Sequence, residues 1–342
     1  MPTADAPNDD NAWRPAVTMD PPLTFRHKVR AEELTSEITP SDDVFVLAHF
    51  GVPHFDVKDW RLHVGGMVRA PLALTLDDIK RFPKVEIESV IKCAGFPHDP
   101  TIATRTVSNA VWAGADLRNV LDACGLDDAA QYLWASAPDH GSYARWSADR
   151  YRKDLPVARV KGGQNNFGPV LLAYEMNGEP LPQAHGFPVR LFIPGFYGTN
   201  SVKWICRLEA ARERAPGILT NELYNDPVPG GGTLPVWRVA PEALIVAPAD
   251  HDDIAPGMRE IWGWCWGEHE IARVDVSLDG GQSWRGASVE PRRQMAWQRF
   301  SLQADCASGP LTIMARATDI KGQTQPERNA RNSIHAIKVT VG

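Results

Sequence analysis

From Val44 to Ala210, glycine and proline break the chain about once every ten residues, as in GGQNNFGP (Gly162 to Pro169), NGEPLP (Asn177 to Pro182) and HGFP (His185 to Pro188). Each break stops a helix or strand before it can run long. A regular doubly wound nucleotide-binding sheet is a poor match to that pattern, and an irregular α+β domain with many loops is the better one. Between the breaks, WRLHVGGMV (Trp60 to Val68) alternates as a strand does, while LTLDDIKRF (Leu74 to Phe82) and ADLRNVLDACG (Ala115 to Gly125) carry helical spacing. The second of these ends on Gly125, a suitable C-cap.

The character changes after NDPVPGGG (Asn225 to Gly232). Short apolar runs then recur at strand spacing. ARVDVSLDGGQSW (Ala272 to Trp284) alternates and then offers a hairpin signal at Asp279, Gly280 and Gly281, and LTIMARATD (Leu311 to Asp319) and IHAIKVTV (Ile334 to Val341) continue the pattern. An all-β immunoglobulin-like sandwich is expected there. A chain of 342 residues exceeds what one core usually fills. The expected division is an N-terminal polar, proline-rich arm over residues 1–40, an α+β domain over 41–215, a linker over 216–233 and the sandwich over 234–342.

Composition removes several function classes. A hydrophobic fraction of 43% supports a large core, and a net charge of -6 gives no electrostatic footprint for nucleic acid or an anionic membrane surface. An anionic substrate therefore needs a local cluster of bases. No apolar run approaches the roughly 20 residues that span a bilayer. The start, MPTADAPNDDNAWRP, lacks a basic n-region, an apolar h-region and a twin-arginine pair, so a cytoplasmic location is expected if this is the whole precursor and a periplasmic one if a leader has been removed. The five cysteines, Cys93, Cys124, Cys206, Cys265 and Cys306, are widely spaced and form no CxxC pair, which argues against a disulfide framework, a zinc ribbon and covalent haem.

Cys93 stands in VIKCAGFPHD (Val90 to Asp99), after the apolar alternation VEIESVI and before a Gly-x-Pro turn. Its thiol should emerge at the end of a buried strand, with Lys92 and His98 favouring the thiolate that binds a soft metal. Alone, the residue fits a buried structural cysteine as well. The stretch LLAYEMNGEPLPQAHGFPVRLFIPGFYGTNSVKWICRLE (Leu171 to Glu209) sets His185, Arg190 and Lys203 among tight turns. Such loops present bases and backbone N–H groups to a phosphate, although any single base there also fits a surface ion pair.

VIKCAGFPHD, SNAVWAGADLRNVL (Ser108 to Leu121) and the Leu171 to Glu209 stretch together resemble the molybdenum domain of the sulfite oxidase family, from about Asp42 onward. The resemblance implies one molybdenum bound by a molybdopterin, a pyranopterin dithiolene, with Cys93 as the protein's sulfur ligand. It implies that His49, in DVFVLAHFGVP, binds the cofactor along with His185 and Arg190 of His-Gly-Phe-Pro-x-Arg. Ser201, Val202 and Lys203 fit the segment that wraps the pterin phosphate, and Asp139 matches a cofactor-contacting aspartate in a loop longer than the family's. Tyr151, in YRKDLP, fits the active-site tyrosine, with Tyr143 the rival. Arg293, in RRQMAWQRF, matches by its spacing to Trp297 an arginine of the second domain that reaches the substrate.

Two departures bear on the substrate. Leu47 stands where the family carries an oxyanion-binding arginine, and Phe96, Pro97 and His98 replace Asn-Arg-Arg after the cysteine. Leucine has no substitute for a bidentate guanidinium contact. Either Arg145, Arg150, Arg152 or Lys153 replaces these bases, or the substrate is less anionic. The activity implied is oxygen-atom transfer at a small sulfur oxyanion, sulfite to sulfate, with a sulfoxide, another organic sulfur compound or nitrate as the alternative. No haem motif or flavin fingerprint is visible, which implies a separate electron acceptor such as a cytochrome, and the family implies a homodimer through the second domain. A non-enzymatic binding module is the other reading the sequence allows. The sandwich tryptophans Trp262, Trp264, Trp266, Trp284 and Trp297 are enough for a recognition surface, although at strand spacing they also fit a core.

Overall fold

The computed structural model describes the chain except residues 1–12, 21–24, 27–28, 96–103, 144, 163–166 and 329–330. Its first domain is built on two sheets. One orders the strands Glu179–Pro180, Leu171–Met176, Val107–Asp116 and Lys84–Lys92, with Arg190–Phe192 also paired to Leu171–Met176. The other runs Tyr151–Pro156, Tyr132–Ala137, Arg207–Ala211, Leu62–Gly66 and Leu72–Leu74, and only its Arg207–Ala211 and Leu62–Gly66 neighbours are parallel. The helices are short, as the punctuation requires. Leu76–Lys80 starts at Thr75, whose hydroxyl accepts from the Asp78 N–H, and Leu117–Cys124 starts at Asp116 and ends on Gly125 at φ 65°.

Both faces of the Val107–Asp116 strand are buried, so the domain carries two cores. Trp60, Leu62, Leu117, Leu133 and Leu208 fill one. Phe45, Ile87, Trp112 and Phe192 fill the other, where the Trp112 and Phe192 rings stack with centroids 4.4 Å apart. At Gly114 the neighbouring strand comes so close that a Cβ would lie 2.1 Å from the Leu172 carbonyl oxygen. Only glycine permits that approach.

The second domain is one eight-stranded path that curls on itself. Arg285–Val289 pairs with Gln298–Cys306 on one side and Ile271–Ser277 on the other, closing two faces over Ile261, Val274, Phe300, Ile313 and Ile337. The hairpin expected at Asp279 is present, with Gly280 and Gly281 at φ 69° and 96°. Trp264, Trp266 and Trp297 are buried, and Trp264 stacks on Trp297 at 4.8 Å. These three are core, and they leave no exposed tryptophan row.

A shared core joins the domains. Val29 and Leu34 of the arm, Val90, Val107 and Tyr197 of the first domain and Leu244, Trp264 and Trp297 of the second pack together. The arm is tied in by Trp264 and Trp297, whose indole N–H groups donate to the Leu34 and Glu37 carbonyls at 2.7 and 2.8 Å. Met295 extends the first domain's sheet, since its N–H donates to the Glu88 carbonyl and its carbonyl accepts from the Val90 N–H. No helix among the described residues is long and apolar enough to cross a membrane.

Overpacking at the close strand approach of Gly114 is the direct test of this packing. Gly114→Ala is expected to cost roughly 2 kcal/mol or more of unfolding free energy, read as an earlier denaturation midpoint of the first domain by urea titration.

Candidate functional site

Lys84–Lys92 ends beside a cavity, and the chain turns there at Cys93, whose N–H still donates to the Thr106 carbonyl at 2.9 Å. Cys93 is 6% exposed, in no disulfide, and on the wall of a cavity. Phe45 to His49, Asp139, Tyr151, His185, Arg190, Ser201 and Lys203 share that wall. Residues spread over about 160 positions of sequence are therefore brought to one place by the two sheets.

The His-Gly-Phe-Pro-x-Arg loop folds over the Ser201–Lys203 segment. Arg190 donates to the His185 and Ser201 carbonyls, both at 3.1 Å, and its guanidinium lies 4.8 Å from the Trp112 ring centroid. Lys203 donates to the Leu47 and Ala184 carbonyls at 2.9 and 3.2 Å. Gly186, at φ 111°, permits this closeness, because a Cβ there would lie 3.0 Å from the Arg190 Cβ and 3.2 Å from the Lys203 Cα. Val202 is buried and does not line the cavity, and its carbonyl accepts from the Leu191 N–H at 2.8 Å.

Burial weakens every charge in this cluster. It lowers His185 to about 3, helped by the charges of Arg190 and Lys203, and lowers Arg190 to about 9. Burial and the Arg190 charge hold the Lys203 ammonium well below the usual lysine range, while Asp139 is pushed up by burial against the pull of Lys203. Asp139 Oδ1 and Arg190 Nε are buried with no hydrogen-bond partner. The cavity thus holds more positive charge than its own acid can neutralise.

A second, aromatic group completes the wall. Tyr151 donates to the Thr199 carbonyl at 2.7 Å, and burial raises its phenol above the usual tyrosine range. Tyr143 is outside the lining residues, with its ring centroid 5.0 Å from that of His49. Tyr224 is the residue that sequence reasoning missed. It comes from the segment read as a linker, lines the cavity, and brings its phenol oxygen to 2.5 Å from His49 Nε2. Tyr224 and Trp204, both on the wall, are non-glycine residues at φ 57° and 51°, a conformation that proteins tend to concentrate at functional sites.

Arg293 does not line the cavity. Because Met295 pairs with the edge of Lys84–Lys92, Arg293 lies level with Glu88 and forms ion pairs with Glu88 and Glu37 at 3.2 and 3.0 Å. Glu88 precedes Cys93 by five residues, about 16 Å of extended strand. The four candidate replacement bases are also occupied outside the lining residues. Arg145 lies over Trp146, Arg150 pairs with Asp149, Arg152 donates to Ser136, and Lys153 donates to the Leu219 carbonyl. Phe96, Pro97 and His98 lie outside the described residues.

Comparison with known proteins decides the family. The profile of the oxidoreductase molybdopterin binding domain matches residues 49–219, half of the chain, and that of the Mo-co oxidoreductase dimerisation domain matches residues 235–339. The chain belongs to the molybdopterin-binding oxidoreductases. This oxidoreductase chain is 32% identical over 363 residues to mitochondrial sulfite oxidase of Homo sapiens, covering 95% of the chain and 64% of that protein. It is 28% identical over 384 residues to nitrate reductase [NADH] 1 of Phaseolus vulgaris, covering 92% of the chain and 41% of that protein. It thus spans under two thirds of either relative. The fold is that of the sulfane dehydrogenase SoxCD from Paracoccus pantotrophus, with a TM-score of 0.80, 24% identity, and coverage of 100% of this chain and 96% of that one.

The cavity of this molybdopterin oxidoreductase suits the group that the family binds. An anionic phosphate would offset the excess charge of Arg190 and Lys203 beside the neutral His185 ring, the Arg190 Nε and Asp139 Oδ1 atoms need a partner, and the thiol supplies a soft sulfur donor. Protein without cofactor should therefore be acid-sensitive through His185. Its folded value lies near 3 and the unfolded value near 6.5, so the unfolded chain takes up the proton first and stability falls as pH drops from about 6.5 toward 3. His185→Gln is expected to flatten that limb of the stability profile measured on cofactor-free protein, and an unchanged slope would count against this assignment.

Proposed function

We propose that the chain is a molybdenum-cofactor oxidoreductase that transfers an oxygen atom at the sulfur of a small compound, with sulfite to sulfate as the leading reaction. The observation that carries this reading is the free thiol of Cys93 on the same cavity wall as Arg190, His185 and Lys203. When bound, the cofactor supplies a metal that accepts two electrons as an oxygen atom is exchanged with the substrate. Water provides the oxygen, and the balance releases two electrons and two protons per sulfite oxidised.

The chain's own groups hold and orient. Cys93 is the sulfur ligand, while Arg190, His185, Lys203 and the Ser201 segment hold the phosphate end. Asp139, whose Oδ1 has no hydrogen-bond partner, would accept from the cofactor. The His49 and Tyr224 pair keeps a proton at the phenol oxygen, where it can be given to or taken from the reacting centre. Tyr151, bonded to Thr199, shapes the wall behind it. Residues 235–339 form a homodimer contact, and the electrons leave one at a time to a separate carrier such as a cytochrome.

One observation favours a second reading. The wall carries Phe45, Val46, Leu47, Ala48, Ile91 and Ala94, a run of apolar side chains in the region where the sequence lacks the family's arginine. A sulfoxide or another uncharged organic sulfur compound suits such a wall better than a sulfite dianion. Steady-state assays with sulfite and an artificial acceptor, and with dimethyl sulfoxide and an artificial donor, separate the two. Sulfite turnover supports the leading reading, sulfoxide turnover alone supports the second, and no turnover with either in molybdenum-loaded protein contradicts both.

Tyr224→Phe is expected to lower kcat on the productive substrate by about 100-fold with a smaller change in KM, the usual loss when a positioned proton donor is removed. Tyr143→Phe, outside the cavity lining, should leave kcat within about twofold.

A further inference from the structure

The turn that carries Cys93 is gripped from outside its own domain. Lys92 is completely buried, donates from Nζ to the Cys93 carbonyl at 3.2 Å, and lies 3.7 Å from Oε2 of Glu242 at the start of the second domain's first strand. One residue on, the Ala94 carbonyl accepts from Arg331 Nη1 at 2.7 Å. Arg331 belongs to the loop before the last strand, and its Nε donates to Asp226 at 3.2 Å in the segment between the domains. Two cations thus close on consecutive carbonyls of the thiol-bearing turn. Each is paired with an acid from beyond residue 215.

Tyr197 is 2% exposed, its phenol accepts from the Ala240 N–H at 3.4 Å, and its ring joins the core shared by the two domains. A buried charge is retained cheaply only when it is paired and hydrogen-bonded. Glu242, 3.7 Å away across the domain boundary, supplies Lys92 with an acid partner. The Lys92 stem leaves the strand immediately before the cysteine, so the docked acid fixes the peptide that holds the thiol.

We propose that Lys92 and Arg331 are positioning residues for Cys93, and that through Glu242 and Asp226 the second domain and the connecting segment set the thiol's place on the cavity wall. The inference rests on the reading of Cys93 as the cofactor's sulfur ligand. Its consequence is that cofactor retention depends on domain docking, although none of the four charged residues lines the cavity.

The test is peptide-resolved alkylation of the full-length chain with iodoacetamide, in cofactor-free and loaded protein, for Arg331→Met, Lys92→Met and the milder Asp226→Asn. The other four cysteines, all buried, are internal controls for folding. In cofactor-free protein, Cys93 is expected to react about tenfold faster in Arg331→Met, and several-fold faster in Asp226→Asn, while Cys124, Cys206, Cys265 and Cys306 stay protected. Arg331→Lys, which keeps the donor, should restore protection. In loaded protein the same variants should retain less molybdenum and show a changed Mo(V) paramagnetic signal. An unchanged Cys93 rate in Arg331→Met and Asp226→Asn overturns the proposal, as does a rise shared equally by all five cysteines. Failure of the cofactor reading would look different: no molybdenum in the unsubstituted protein, with the alkylation pattern intact.

Discussion

The structure depends on how it tolerates positive charge inside the first domain. Arg190 is 3% exposed, and Lys203 turns its ammonium into the same cavity beside the buried, neutral His185 ring. Removing such groups from water costs several kcal/mol per ion unless an opposite charge replaces the solvent. Asp139, itself pushed toward its neutral form, is a weak counterweight. The sheets, the Gly186 approach and the cation contact of Arg190 on Trp112 hold these groups together despite their mutual repulsion. That arrangement is costly as architecture, and it makes physical sense as a receptor for a phosphate-bearing cofactor beside a soft sulfur donor.

The second domain is part of the same device. It adds Met295 to the edge of the Lys84–Lys92 strand, anchors the arm through two indole N–H groups, and reaches the Cys93 turn through Glu242 and Arg331. The connecting segment contributes Tyr224 to the cavity itself. Separating the domains would expose the shared core of Val90, Tyr197, Trp264 and Trp297 and would loosen the turn that carries the thiol.

What the sequence revealed follows from how local each feature is. Cys93, His185, Arg190, Ser201 and Lys203 sit in turns whose glycine and proline pattern is itself visible, and the structure brings all five to one cavity. The Gly125 cap and the Asp279 hairpin are equally local. Tyr224 was hidden because nothing in Asn225 to Gly232 says which way the preceding residue points. Its left-handed backbone is a tertiary result. Arg293 was misplaced for a related reason: its spacing to Trp297 is right for a shared segment, but the pairing of Met295 with the sheet edge turns that segment toward Glu88 and Glu37. Pairing register between distant segments is not written in either segment alone.

One molybdenum and one phosphate-bearing pterin, held through Cys93 and the buried cations, are what the proposed function requires of the cavity. The most direct measurement is metal and pterin content on the same purified sample, from a host able to make the cofactor, for the unsubstituted chain and for Arg190→Met. Near-stoichiometric molybdenum and pterin are expected in the former and loss of both in the latter, with the fold retained by circular dichroism. Folded, unsubstituted protein carrying neither, or an Arg190→Met variant that retains both in full, would contradict it.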